Sequence, residues 1–220
     1  MLTSLQNSLV KQIRKLHSAK YRRQERLFLL EGTHLIEEGA LAEWPMDVLC
    51  FTAAWQAKES KLLEKLQDRG IRCEPVSPEV LLSMATTVNP DGVVAMARSH
   101  SATNHTISVQ SLGLILETIQ DPGNVGTILR TAAAAGVEGI WLDQGCVDLE
   151  SPKVLRSSAG AWFRVPTSCG EDLPAQVQDY QNQGFQVVAT LPKANLDYWA
   201  VDYTQPTLIL VGNEGAGLSD

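Results

Sequence analysis

The sequence lacks the features that mark membrane, secreted and metal-dependent proteins. Its 220 residues contain no apolar run near the ~18 residues needed to cross a bilayer. The N-terminus has neither the early positive charge nor the apolar core of a signal peptide. The four cysteines lie far apart without a CxxC pair, and the four histidines form no HExxH motif. We therefore expect reduced, structural cysteines, a cytoplasmic protein and no metal site.

Several enzyme motifs are also missing. The chain has no GxGxxG dinucleotide motif, no P-loop GK[ST] and no GxSxG nucleophile elbow. A glycine-rich stretch at 212–217 has the form GxxGxG instead. These absences disfavour a nucleotide-binding oxidoreductase of the Rossmann type, a P-loop NTPase and an α/β-hydrolase.

The composition is that of a globular protein, with 44% hydrophobic and 20% charged residues. The length allows one large or two small domains. The net charge of −7 is unevenly distributed, because residues 1–26 carry +6 and the remainder −13. A basic N-terminal arm on an acidic body suits a partner that touches one edge, such as RNA phosphate. A solubilising helix face would give the same charge pattern.

Alternating strand and helix patterns indicate two α/β domains. In residues 1–98, an amphipathic helix at 3–16 precedes four short apolar strands that alternate with helices, one of them predicted at 54–68. The polar residues 99–110 read as a linker. Residues 111–220 alternate again, from the strand at 112–116 to the strand at 207–211, with an extended piece predicted at 163–166.

Two glycine-containing loops of the second domain follow apolar strands. The first, DPGNVG, leads into a helix from Val125 to Ala135 with Asn124 as its predicted N-cap, and the second is VGNEGAG. Parallel strands would place both loops on one sheet edge, where open α/β sheets bind ligands. Standing alone, the glycine-rich loop at 212–217 is more typical of a tight turn than of a ligand site. Arg130 stands in a run of small and apolar residues, either as a functional group or as a surface arginine.

A third cluster, Lys153 to Ala161, ends in the small residues SSAGA. Small side chains permit a tight interface, but a helix C-terminus capped by Gly160 explains them equally well.

These motifs together resemble the SpoU (TrmH-like) family of RNA ribose 2′-O-methyltransferases. The resemblance rests on N124-V-G-x-x-x-R130-T-A, S158-A-G-A and L-V-G212-N-E-G-x-G-L. The segments KYR…FLLEGTHLIEE and TVNPDGVVA resemble the family's substrate-binding module. The likeness extends over nearly the whole chain.

The resemblance implies a fold, a cofactor and partners. The fold would be a small N-terminal L30e-like α/β domain followed by a C-terminal α/β trefoil-knot methyltransferase domain. The cofactor would be S-adenosyl-L-methionine, and the chain would form a homodimer through the C-terminal domain. The RNA partner would be ribosomal RNA rather than transfer RNA, since the N-terminal module looks like that of ribosomal members.

The resemblance also assigns site residues. The catalytic group would comprise Arg130, Asn124 and Glu214. The cofactor would lie against Thr190, Leu191, Gly212, Asn213 and Gly215. In the basic arm, Lys20, Arg22 and Arg23 are candidate RNA-phosphate contacts.

The role of Arg130 has two candidate forms. Family proposals make this arginine a general base, but a guanidinium stays protonated in proteins and accepts protons poorly. We prefer a charged Arg130 that binds phosphate and stabilises the developing alkoxide.

One family feature is not found. The third motif, a proline-containing loop before a Ser-Leu-Asn segment, is absent, and Ser219 or Asp220 would cap a helix that does not follow. We expect the natural chain to continue beyond Asp220. The alternative function is therefore an RNA-binding protein without catalytic activity.

Overall fold

The computed structural model describes residues 1–99, 107–170 and 172–219. The chain divides into two units. Unit 1 comprises residues 1–101 and 148–163, and unit 2 comprises residues 102–147 and 164–220. Among the described residues, no helix is long and apolar enough to cross a membrane. The predicted linker lies largely outside the described residues, as does the predicted cap at Asp220.

Unit 1 is built on a four-stranded mixed sheet in the order β1-β4-β2-β3. β4 is antiparallel to both of its neighbours, whereas β2 and β3 are parallel. The strands are β1 (Leu27–Glu31), β2 (Met46–Phe51), β3 (Arg72–Pro75) and β4 (Val93–Arg98). The helices are α1 (Ser8–Lys15), α2 (Ala19–Glu25), α3 (Thr33–Leu41), α4 (Ala53–Lys58), α5 (Ser60–Asp68) and α6 (Pro78–Met84), with α8 (Pro152–Ser158) from the second segment.

Both faces of this sheet are covered, which explains the continuous apolar run of β1. Phe28 and Leu30 point into one core cluster, while Leu27 and Leu29 point into the other. Leu155 of α8 belongs to the first cluster, and the Trp162 ring lies 5.2 Å from that of Phe28. Residues 148–163 therefore complete the core of unit 1, although the predicted methyltransferase domain includes them.

Unit 2 is built on a five-stranded, fully parallel sheet in the order β7-β6-β5-β9-β8. Its strands are β5 (Leu112–Leu116), β6 (Gly139–Leu142), β7 (Thr167–Cys169), β8 (Gln186–Ala189) and β9 (Thr207–Val211). Its helices are α7 (Pro122–Ala135) and α9 (Leu173–Asn182). The inner strand β5 pairs with β6 on one side and β9 on the other. Consequently the loops after these three strands leave from one edge.

Three local predictions are wrong. The first helix begins at Ser8 rather than at residue 3, because Asn7 caps it by accepting a 2.9 Å hydrogen bond from the Leu9 amide. The predicted helix 54–68 is two helices separated at Glu59. The piece predicted as extended at 163–166 is not a strand: Phe163 ends a 3₁₀ turn, Ala161–Phe163, residues 164–165 form a turn and a bend, and the strand starts at Thr167.

Candidate functional site

The candidate site lies at the carboxyl edge of the unit 2 sheet. Because β8, β9, β5 and β6 are consecutive neighbours and parallel, their following loops stand side by side. Thr190 and Leu191 follow β8, the 212–217 loop follows β9, and the loop leading into α7 follows β5. All predicted catalytic and cofactor residues except Arg130 are in these loops or in the first turn of α7.

The glycine loop after β9 is closed by its own backbone. Asn213 and Gly217 exchange two amide-to-carbonyl hydrogen bonds of 2.9 and 3.0 Å. The Asn213 Oδ1 accepts hydrogen bonds from the amides of Gly215 and Ala216, each at 2.9 Å. A Cβ on Gly212 would lie 2.3 Å from the Gly217 carbonyl carbon. Only glycine at position 212 allows this closure.

Two side-chain hydrogen bonds join this loop to the loop after β5. The Asn213 amide donates to the Thr118 carbonyl at 2.8 Å, and the Asn124 amide donates to Glu214 Oε1 at 3.0 Å. The Asp121 backbone amide also approaches Glu214 Oε1, at 3.3 Å. The two sequence motifs therefore form one structure, in which Asn124 and Glu214 are direct partners.

Glu214 is held as a carboxylate by these contacts. The hydrogen bond from Asn124, together with backbone amides, lowers its pKa below the ordinary value of 4.5. The side chain is exposed, so water and ligands reach it.

A third loop, after β6, supports the loop after β5. Thr118 has a left-handed backbone with φ +55°. Its amide and hydroxyl donate to the two oxygens of Asp143, at 2.9 and 2.8 Å. Burial raises the pKa of Asp143, but these hydrogen bonds and those involving Cys146 outweigh it, so the net pKa lies below 3.8. A carboxylate at this position offsets the cost of the left-handed threonine.

Cys146 completes this support. Its thiol lies 3.4 Å from the Leu116 carbonyl and its Sγ accepts from the Ile119 amide at 3.2 Å. Burial and the neighbouring Asp143 raise the pKa of the Cys146 thiol to about 12. Sequence reasoning missed Thr118, Asp143 and Cys146. Their one signal was a position shortly after β5 or β6 at the ligand-binding edge, which has no spacing that would single them out.

The predicted cap of α7 is wrong. The helix begins at Pro122, and Asp121 is its N-cap, accepting hydrogen bonds from the amides of Gly123 and Asn124 at 2.7 and 3.0 Å. Proline at the first helical position and an acidic cap make the earlier start favourable. This start leaves the Asn124 side chain available for Glu214.

Arg130 lies outside this hydrogen-bonded network. It is six residues after Asn124, hence about 9 Å along the helix and about 120° around it. The side chain is exposed and has no hydrogen bond or ion pair with the described residues. Neither Asn124 nor Glu214 contacts Arg130 in this conformation, because their side chains bond to each other and Glu214 also accepts from the Asp121 backbone amide.

The residues after β8 provide a different surface. Thr190 donates from its amide and its hydroxyl to the Leu210 carbonyl, at 3.0 and 2.8 Å, which ties this loop to β9. Leu191 is 53% exposed and gives the edge an apolar side chain. An apolar wall beside glycine backbone and carboxylates fits a ligand with a flat heterocycle and a cationic centre, as in S-adenosylmethionine.

The three candidate RNA-phosphate contacts in unit 1 differ from one another. Lys20 and Arg23 are exposed, whereas Arg22 is only 2% exposed. Arg22 donates to Asp148 Oδ2 from both Nη2 and Nε, at 2.6 and 3.2 Å, and from Nη1 to the carbonyls of Leu16 and His17. The prediction that Arg22 contacts RNA phosphate is therefore corrected: its donors serve the protein interior.

No group of three metal-binding side chains occurs in the part of the chain that the structure describes. The site therefore consists of hydrogen-bonded loops and glycine backbone on a parallel sheet. That architecture defines a two-part α/β protein with a ligand site at one sheet edge.

Comparison with known proteins places the chain more narrowly. The SpoU rRNA methylase family profile matches residues 111–220, and that of the MRM3-like substrate binding domain matches residues 7–95. The chain belongs to the SpoU rRNA methylase family. It has an N-terminal substrate-binding domain and a C-terminal methyltransferase domain.

Three relatives illustrate the likeness. A Synechocystis sp. protein described as an uncharacterized tRNA/rRNA methyltransferase is 49% identical, over 99% of this chain and 80% of its own. The Bacillus subtilis 23S rRNA (guanosine(2553)-2′-O)-methyltransferase is 30% identical, over 99% of this chain and 84% of its own. The crystal structure of an AdoMet-bound rRNA methyltransferase from Sinorhizobium meliloti aligns with a TM-score of 0.85 and 32% identity. The alignment covers 99% of this chain and 82% of that one.

Proposed function

We propose that the chain transfers the methyl group of S-adenosylmethionine to a ribose 2′-hydroxyl of ribosomal RNA, with S-adenosylhomocysteine as the leaving group and the hydroxyl proton released to water. The observation that carries this proposal is the junction of Asn124 with Glu214, which joins the loops after β5 and β9 into one ligand-binding edge. The names of the similar proteins support it, since two of them are rRNA methyltransferases, one bound to AdoMet.

The cofactor would lie along the loops after β8 and β9. Leu191 would contact the adenine, and the backbone from Gly212 to Gly215 would approach it closely because these glycines lack a Cβ. The carboxylate of Glu214 favours a cationic sulfonium nearby. When bound, S-adenosylmethionine supplies a methyl group that is already activated for displacement.

The protein then has to position the ribose and stabilise charge at its 2′-oxygen. Arg130 would do so as a cation, through hydrogen bonds to the adjacent phosphate and to the developing alkoxide. Its exposed guanidinium, which no described residue engages, is free to bind RNA. The Asn124–Glu214 pair would keep the loops in the geometry that accepts the cofactor.

The finer features of the family are proposals for this chain. They are the trefoil knot, the L30e-like character of residues 1–98, the domain limits 99–110 and 111–220, and a homodimer through the C-terminal domain. They also include a cytoplasmic location, a preference for ribosomal RNA over transfer RNA, and RNA-phosphate contacts by Lys20 and Arg23.

The alternative of an RNA-binding protein without catalysis has less support. Two relatives that match 99% of the chain are named as methyltransferases. A Rossmann-type oxidoreductase has least support, because the loop after β5 and the loop after β9 both lack GxGxxG.

Methyl transfer to defined RNA pools tests the proposal. Purified chain is incubated with tritiated S-adenosylmethionine and unmodified ribosomal or transfer RNA. Label in ribosomal RNA is expected, with little in transfer RNA. Binding of RNA without label in either pool would support the non-catalytic alternative.

A further inference from the structure

A cleft in unit 1, lined by both polar and apolar groups, has no role in the site described above. It encloses about 190 Å³. Its walls come from β1 with the start of α3, from the loop before β4, and from α8 with the residue after it. The lining residues are Glu31, Gly32, His34, Leu35, Thr87, Asn89, Asp91, Arg156 and Ala159.

The floor of the cleft is an ordered carboxylate. Glu31 is only 4% exposed, and it accepts hydrogen bonds from the amides and hydroxyls of Thr86 and Thr87. Arg156 Nη1 donates to it at 2.9 Å and to the Thr86 hydroxyl at 2.6 Å. These contacts fix the guanidinium plane of Arg156 before any ligand arrives.

One edge of Arg156 stays available. Its Nε and Nη2 atoms have no hydrogen bond with the described residues, and its side chain is 30% exposed. The exposed amide of Asn89 likewise has no partner among them. A fixed guanidinium edge and a carboxamide present both donors and an acceptor to the cleft.

The opposite wall is brought close by the small residues of the SSAGA run. Ala159 and Gly160 have φ of +46° and +85°, and a Cβ on Gly160 would lie 2.4 Å from Glu38 Cγ. The Ala159 carbonyl lies 3.3 Å from His34 Nε2. The run ends α8, with Ala159 rather than the predicted Gly160 as the C-cap, and it also packs tightly against α3.

The charges of the cleft select its occupant. The lining carries two carboxylates, Glu31 and Asp91, and one guanidinium, that of Arg156, so an isolated phosphate would meet no net positive charge. Leu35 adds an apolar patch. A flat, neutral ligand with donors and acceptors at its edge fits better, and unpaired RNA bases are recognised through such edges.

We propose that this cleft binds one unpaired nucleobase of the RNA substrate, through hydrogen bonds from Asn89 and the free edge of Arg156. The proposal rests on the proposed function, because it assumes an RNA substrate. It gives residues of α8, which the sequence assigns to the methyltransferase domain, a part in RNA recognition.

The test uses the full chain labelled with ¹⁵N and single-stranded heptamers of adenosine, cytidine, guanosine or uridine. We expect saturable shifts of the Thr87, Asn89 and Asp91 amides, with affinities that differ at least about fivefold between bases. Asn89→Ala should lower the affinity for the preferred base about fivefold and reduce the difference between bases. Gln67→Ala, which removes an exposed carboxamide on α5, is the control and should change neither.

An abasic heptamer separates base from phosphate recognition. Equal binding of the abasic strand at these amides, or no effect of Asn89→Ala, would overturn the proposal. Methyl transfer to ribosomal RNA is measured on the same preparation. Methyl transfer without base-dependent shifts in the cleft would overturn only this inference, whereas cleft binding without methyl transfer would overturn only the proposed function.

Discussion

The carboxamide of Asn124 donates a 3.0 Å hydrogen bond to Glu214, 90 residues away in sequence. The two side chains belong to loops that follow the paired strands β5 and β9. This contact makes one site of two glycine-containing segments, each of which alone would be an ordinary turn.

Removal of the Glu214 carboxylate should loosen this junction. Glu214→Ala deletes the acceptor for both Asn124 and the Asp121 amide, and we expect about fivefold weaker S-adenosylmethionine binding, the scale of one net hydrogen bond. Isothermal titration calorimetry measures it. Asp179→Ala, an exposed carboxylate on α9, is the matched control and should bind normally; equal losses in both variants would refute a specific role for Glu214.

The same junction should depend on acid pH. Because the folded-state pKa of Glu214 is lowered below 4.5, its contribution is complete above that value and is lost as pH falls through the folded-state pKa. The Asn124 side-chain amide resonance should therefore shift with a midpoint below 4.5. The shift should disappear in Glu214→Gln, and a midpoint above 4.5 would contradict the hydrogen bond.

Replacing either of two glycines in the 212–217 loop by alanine should affect stability differently. In Gly212→Ala the new methyl group would overlap the backbone of Gly217, so we expect a loss of about 1–3 kcal/mol in the free energy of unfolding. Gly215→Ala meets nothing nearer than 3.6 Å and should unfold like the wild type. Thermal denaturation of both variants checks this, and equal stability would exclude the closed loop.

Alanine substitutions of the adjacent arginines Arg22 and Arg23 should have different effects, one on protein stability and the other on RNA binding. Arg22→Ala leaves the largely buried carboxylate of Asp148 without its ion-pair partner. This should lower the free energy of unfolding by about 3–5 kcal/mol. Arg23→Ala should leave stability unchanged, weaken RNA binding, and lower the salt dependence of log K by about one unit. Denaturant unfolding and RNA binding at several salt concentrations test the pair. A stable Arg22→Ala chain with weakened RNA binding would restore Arg22 as a phosphate contact.

Most of the fold could be predicted from local pattern. The strands at 27–31, 112–116 and 207–211 are each followed by glycine or a charged residue, and their apolar runs are too short for helices. The antiparallel placement of β4 could not be predicted, since periodicity carries no strand direction. Nor could the association of residues 148–163 with unit 1, because aromatic packing such as that of Trp162 on Phe28 is set by tertiary structure.

The residues of the candidate site could be predicted from the sequence where they belong to a recognisable motif. Asn124 and Glu214 are visible as polar residues beside glycines after strands. Asp143 and Thr118 are not, because an Asp–Thr hydrogen bond between loops leaves no spacing signal. Burial of Arg22 was equally hidden, since a basic run reads as a solvated face until its partner Asp148, 126 residues later, is placed.

The central claim is tested most directly at Arg130. After incubation with tritiated S-adenosylmethionine, ribosomal RNA is digested to nucleosides and the labelled product is identified by mass spectrometry. The account predicts a single 2′-O-methylnucleoside from the wild type, and a rate at least about 100-fold lower for Arg130→Ala with cofactor affinity unchanged. Label on a base, or an Arg130→Ala rate equal to the wild type, would contradict it.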